Sequence, residues 1–279
     1  ILVAELLPEI LDQLLALLSG LSREDWQLPT VCADWNVKDV ALHLLGVEIG
    51  NLSIRRDGHL ASEGTQDWDE LIEFINEWNQ DWVRVARRMS PALLLEMLHF
   101  VGEKVCDHFR LLNPHLKGGP VSWAGPDPAP VWLDIAREYT ERWHHQQHIR
   151  DAVNKPGLKV PRFFAPVLAT FVWGLPHAFR SVRAVNGTTV TLNIVGESGG
   201  CWSIQREEGV WGLYAGTVDE PQVVVHGDGV VGVAVVAGVL LALGGLGVVV
   251  AIIGVGTAQV LHAASISARI NTPLQAQGL

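Results

Sequence analysis

The sequence offers little with which to cross-link itself: three cysteines, Cys32, Cys106 and Cys201, in 279 residues, widely spaced and odd in number. That excludes a disulfide framework and a paired CxxC metal knuckle, and it fits a reducing, cytoplasmic setting. Basic runs are also missing. With 20 Lys and Arg against 30 Asp and Glu the formal net charge is -10, which excludes nucleic acid as a main partner, because phosphate binding needs a basic surface. Small molecules are the expected partners. Residues 1–18 are rich in leucine but carry Glu5, Glu9 and Asp12 and no basic residue, so they read as an amphipathic helix and not as a secretory signal. Charge is absent altogether between Asp228 and Arg269. By length alone this stretch admits a membrane span. Its many glycines, the lack of aromatic or basic residues at its start and the sheet-like sequence before it argue instead for one or two buried helices packed on that sheet.

What is present is enough apolar material, 48% of residues against 18% charged, for a buried core and two domains. Leu6, Leu7, Ile10, Leu14, Leu17 and Leu18 recur at helical spacing before Gly20, giving a first helix over about 3–19. A second starts at Val37 after a capping Asn36 and carries His43 in an apolar run. Helices over about 67–89, 91–112 and 131–153 follow. The Gly- and Pro-rich loop from Gly118 to Pro130 reads either as a wall over the last of these or as a plain surface connection. A stretch over about 162–182 is helical, with a break imposed by Pro166 and Pro176. The period then changes to two: Thr188 to Val195, Cys201 to Gln205, Trp211 to Tyr214 and Gln222 to His226 alternate apolar with polar between Gly-rich or acidic turns. The expected fold is α+β, with a helical domain over 1–182 and a smaller antiparallel sheet-plus-helix domain over 183–279.

Chemistry concentrates in the helix over 131–153, where His144, His145 and His148 fall beside several carboxylates. Helical spacing puts Glu141 and His145 one turn apart on one face, and His144 and His148 one turn apart on the next. Either pair supplies two corners of a metal site. A catalytic site needs at least three protein ligands and an open position. His43, which alone reads as a core histidine, is the candidate third ligand, since facing helices of a bundle deliver such sets. His99 and His108 lie nine positions apart without a shared partner and are not expected at the site. Glu138 and Arg142 read as surface positions or substrate contacts, and Cys32 as part of the connector before the second helix.

Two segments resemble a known family. Thr30-Val31-Cys32-Ala33-Asp34-Trp35-Asn36-Val37-Lys38-Asp39-Val40-Ala41-Leu42-His43-Leu44 is similar to the T-x-C-x-x-W-x-V-x-D-x-x-x-H-L signature of the DinB-like, mycothiol-dependent maleylpyruvate isomerase superfamily. Glu141-x-x-x-His145-x-x-His148-Ile149-x-x-Ala152, running into Pro156, is similar to its second motif, with His148 where an acidic residue is usual. The resemblance implies a DinB-like four-helix bundle with a sterol-carrier-like second domain. It implies His43, Glu141 and His145 as ligands of a divalent metal, zinc in those isomerases, and so selects the second motif's pair over His144 and His148. It further implies mycothiol or a similar low-molecular-weight thiol as co-substrate and a small electrophilic substrate to isomerise or conjugate. A homodimer is a possible assembly. The alternatives are a metal-dependent hydrolase on the same site and a non-catalytic metal- or ligand-binding stress protein.

Overall fold

A computed structural model describes residues 1–59, 68–218, 223–228 and 267–270. The chain forms two compact units, the first comprising residues 1–121 and 126–159 among those described. In order it carries α1 (Leu7–Ser19), α2 (Val37–Gly50), α3 (Trp68–Ala86), α4 (Pro91–Leu111), the short antiparallel pair β1 (Lys117–Pro120) and β2 (Pro128–Pro130), and α5 (Val131–Ala152).

The unit is built on α2. Asn36 Oδ1 accepts from the Asp39 amide at 3.0 Å while Asp39 Oδ2 accepts from the Asn36 amide at 3.2 Å, a reciprocal cap that satisfies otherwise orphaned first-turn donors. Val37, Val40, Ala41, Leu42, Leu44 and Leu45 are all buried. A helix apolar on every side is a central helix, and α2 packs on α3, α4 and α5, while α1 packs on α4 and α5. Two side chains fasten these contacts to the backbone: Trp82 Nε1 donates to Leu42 O at 2.7 Å, and Gln146 Nε2 donates to Ile10 O at 2.9 Å. Beyond Gly50 the chain does not leave the helix but widens into a π-helical turn, Asn51–Arg56. The extra residue per turn re-aims the side chains that follow, and Asn51 and Arg55 both reach α5.

The second unit, described by itself, comprises residues 122–125 and the described residues from 160 onward. Helix α6 (Pro161–Phe171) has Pro166 inside it and gives way to a 3-10 turn at Val172–Gly174 before the one-turn α7 (Leu175–Ala178), which Pro176 opens. This is the break expected from the two prolines. The sheet runs β5-β4-β3-β6-β7, with β3 (Thr189–Val195), β4 (Gly200–Glu207), β5 (Val210–Ala215), β6 (Val223–Asp228) and β7 (Ser267–Ile270). Its pairs are antiparallel except β3 with β6, which run parallel with Val190 opposite Val223. Leu192, Ile194, Ile204 and Trp211 bury one face, and Thr191 and Ser203 share a hydrogen bond of 2.9 Å across β3 and β4. Trp123 is buried against Phe171 in this unit, so the tryptophan of the Gly- and Pro-rich loop is a core residue.

The fold is α+β, as the periodicities indicate. The buried helices expected beyond Gly229 lie outside the described residues. Ser267–Ile270 is an exception within that stretch, a strand where helix was expected. No helix among the described residues is long and apolar enough to cross a membrane.

Candidate metal centre

The site is built where α2 faces α5. His43, two turns into α2, presents Nε2 to Glu141 Oε1 at 3.0 Å across 98 positions of sequence. One turn on from Glu141, His145 Nε2 reaches the same oxygen at 3.1 Å. All three side chains are buried. One carboxylate oxygen therefore faces two imidazole nitrogens, while Glu141 Oε2 and His145 Nδ1 have no hydrogen-bond partner. Buried polar atoms normally find partners, so Glu141 Oε2 retains bonding capacity for a further group beside the two imidazoles. The donor set, two imidazoles and a carboxylate within 4.8 Å of one another, suits a divalent cation of the first transition row.

A second group adjoins the first. Residues 29–36 form a tight loop in which Thr30 Oγ1 donates to Trp35 O at 2.8 Å and accepts from the Cys32 amide at 3.1 Å. Asp34 takes a left-handed backbone, φ 63°, which an aspartate tolerates better than most residues. The loop drives Cys32 inward until its Sγ lies 3.2 Å from His148 Nδ1. The Trp35 ring stands over His43, with centroids 5.1 Å apart. On the outer side of Cys32 is a cavity of about 590 Å³ lined by Gln27, Thr30, Trp35, Lys38 and Arg87 among others.

Burial sets the protonation of the imidazoles. It lowers His43 and, with the neighbouring His144 and His145 adding to it, drives His148 well below the ordinary range. It lowers His144 to about 4. His145 is the exception: burial works against its charged form, but the Glu141 carboxylate and Cys32 raise it to about 10. Glu141 is the reciprocal case, held well below the usual carboxylate range by His145 and His43 in spite of burial. Without an ion, Glu141 and His145 form a buried ion pair flanked by neutral imidazoles.

Residues 7–150 match the family model described as the mycothiol maleylpyruvate isomerase N-terminal domain. The chain belongs to that family. Two solved structures are similar to the chain, a mycothiol-dependent maleylpyruvate isomerase and a histidine-to-alanine variant of it. They are 12% and 11% identical, with 85% of this chain aligned to 86% of each and TM-scores of 0.49 and 0.50. At that identity the likeness of the variant shows a shared fold. Comparison with curated proteins finds no match.

In this maleylpyruvate isomerase family member the structure brings His43, Glu141 and His145 together, and it brings Cys32 and His148 alongside. His144 contacts the His148 ring, with centroids 4.5 Å apart, but belongs to neither donor group. His99 is exposed and paired with Glu103, and His108 sits beside Phe109, so neither joins the site. The reading of Glu138 and Arg142 as surface positions is corrected: both are buried. Arg142 grips both Glu48 oxygens at 2.7 Å and reaches Glu138 Oε2 at 3.0 Å. Asn51 donates to the same Glu138 oxygen at 2.7 Å, and Arg55 and Arg137 bind Asp134 and Glu138. Three guanidiniums thus balance Glu48, Asp134 and Glu138 beside the candidate metal ligands. The Glu138 to Arg142 spacing was the one sign of this in the sequence.

This cluster predicts acid sensitivity. Burial alone would raise the Glu138 carboxyl, but Arg137, Arg55 and Arg142 outweigh it and hold the group at about 2 against an ordinary 4.5. A carboxyl depressed on folding stabilises the protein fully above its unfolded value, and that contribution fades as pH falls toward the folded one. The contribution at neutral pH is about 3 kcal/mol. Denaturant titrations of wild type and Glu138→Gln should therefore differ most at neutral pH and converge as pH falls from about 4.5 to about 2. A constant difference over that window would show that the charge of Glu138 is not what the guanidiniums stabilise.

Proposed function

We propose that the protein is a divalent-metal-dependent enzyme that uses a low-molecular-weight thiol, mycothiol by its family, to isomerise or conjugate a small electrophile. His43, Glu141 and His145 are the proposed ligands, with zinc the ion their chemistry suits. The observation that carries this reading is the single Glu141 oxygen facing His43 Nε2 and His145 Nε2 at 3.0 and 3.1 Å in a buried position. Atoms that would point at an ion here point at each other. When bound, the ion supplies Lewis acidity that keeps a thiol as thiolate at neutral pH. The chain's own part is to hold neutral His43, to give up the proton that His145 keeps through Glu141, and to exclude water with Trp35. The cavity beside Cys32, within the size range of small-molecule sites, receives the electrophile.

Elemental analysis of protein purified without chelator should find one divalent ion per chain, and His43→Ala, which breaks this ligand set, should lose thiol-dependent turnover. Turnover of maleylpyruvate or another electrophile should require both the ion and the thiol. Full metal loading with no turnover for any thiol and electrophile tested would reduce the protein to a metal binder. A wild-type protein without metal would sink the reading entirely.

A further inference from the structure

Cys32, His145 and His148 are all buried and offer ligand atoms within 4.8 Å of one another. Cys106 and Cys201 belong to no such group among the described residues; burial leaves the Cys106 thiol pushed up to about 11. The Cys32 Sγ to His148 Nδ1 separation is 3.2 Å. Two ligands of one zinc ion, with Zn–S near 2.3 Å and Zn–N near 2.0 Å, lie about 3–4 Å apart, so this pair already stands at ligand spacing. The sulfur is held there by the Thr30 and Trp35 hydrogen bonds of its loop, and Cys32 also lines the adjoining cavity. His145 is common to this group and to the group with His43 and Glu141.

We propose that Cys32, His145 and His148 form a second, sulfur-bearing donor set for a thiophilic divalent cation, alternative to His43, Glu141 and His145. Because His145 is shared, one ion occupies one set at a time. A thiolate with two imidazoles favours soft cations such as Cd²⁺ and Zn²⁺, whereas the carboxylate set accommodates harder ones. On binding, the Cys32 thiol becomes a thiolate and His145 a neutral imidazole, and both protons pass to solvent. The proposal shares His145 with the catalytic reading but stands on its own distances, and the two fail separately.

The test uses the full chain loaded with Co²⁺ and, separately, titrated with Cd²⁺. Wild-type Co²⁺ protein should show a sulfur-to-cobalt charge-transfer absorption that Cys32→Ser abolishes while retaining Co²⁺ through the other set. Cys32→Ser and His148→Ala should each weaken Cd²⁺ at least tenfold, and Glu141→Gln should keep the charge-transfer band. Circular dichroism of each variant separates unfolding from ligand loss. As a measurement free of variants, Cd²⁺ should slow alkylation of Cys32, followed by peptide mass, in the wild type. No charge-transfer band in wild type, or unchanged Cd²⁺ affinity in Cys32→Ser with unprotected Cys32, overturns the proposal and leaves the carboxylate set intact. Metal binding that survives both His43→Ala and Glu141→Gln but not Cys32→Ser supports it and overturns the ligand set of the catalytic reading. No metal binding to wild type overturns both.

Discussion

His145→Ala should weaken divalent-metal binding more than any other single substitution in the protein, by at least about 100-fold. Loss of a group that merely orients a ligand costs about 10–100-fold, and His145 is more than that. Its Nε2 shares the Glu141 oxygen with His43, and it is the member common to both buried donor groups. Removing it leaves His43 and Glu141 on one side and Cys32 and His148 on the other, each pair short of the three protein ligands a stable site needs. His144→Ala, one position away, is the matched control. His144 packs on the His148 ring but lies in neither group, so its removal should shift metal affinity by less than tenfold. Competition titrations on the two variants decide the matter, with thiol-dependent turnover expected to follow the metal. An affinity for His145→Ala within tenfold of wild type would mean that the ligands lie elsewhere.

That contrast touches what could be read in the sequence. Spacing put Glu141 with His145 and His144 with His148 on neighbouring faces of one helix, but it had no means of choosing, because α5 is buried almost all round from Glu138 to Arg150. An amphipathic stripe tells inside from outside only when one face meets water. His43 was visible as a polar residue in an apolar helix, and the cap at Asn36 that fixes where that helix starts was legible too. Cys32 was not, because its contact with His148 spans 116 positions and depends on a loop whose Thr30 and Trp35 bonds leave no periodic trace. The π-helical turn at Asn51–Arg56 carries no proline or glycine to announce it. Strands β1 and β2 are made of the residues least typical of strands, Lys-Gly-Gly-Pro and Pro-Ala-Pro. In the second unit the period-two alternation marked β3 to β5 well, whereas the parallel register of β3 on β6 depends on the connection between them.

The buried charges beside the site carry the other large effect. Arg142→Leu should destabilise the protein by about 3–5 kcal/mol, because it leaves Glu48 and Glu138 buried without their shared counter-charge. The native geometry is demanding. Arg142 holds Glu48 through Nε and Nη2, both at 2.7 Å, and through Nη1 reaches the Glu138 carbonyl at 2.6 Å and its carboxylate at 3.0 Å. Burial alone would lower the guanidinium's pKa, but Glu48 and Glu138 raise it, so the group is charged at every accessible pH. Arg142→Lys keeps the charge but not the fork and should fall between wild type and Arg142→Leu. For a protein of this size the leucine variant should melt about 10 °C lower. Glu48 lies on α2 and Arg142 on α5, the two helices that also carry His43 and Glu141, so the same bonds that stabilise the fold align the proposed ligands. Metal affinity should accordingly drop in Arg142→Leu even at temperatures where it is fully folded, and a Glu48→Gln, Arg142→Leu double variant should recover part of the stability by removing one stranded charge. If Arg142→Leu instead unfolds within about 1 kcal/mol of wild type in denaturant, the carboxylates have taken up protons or other partners, and the cluster does not fix the alignment of α2 with α5.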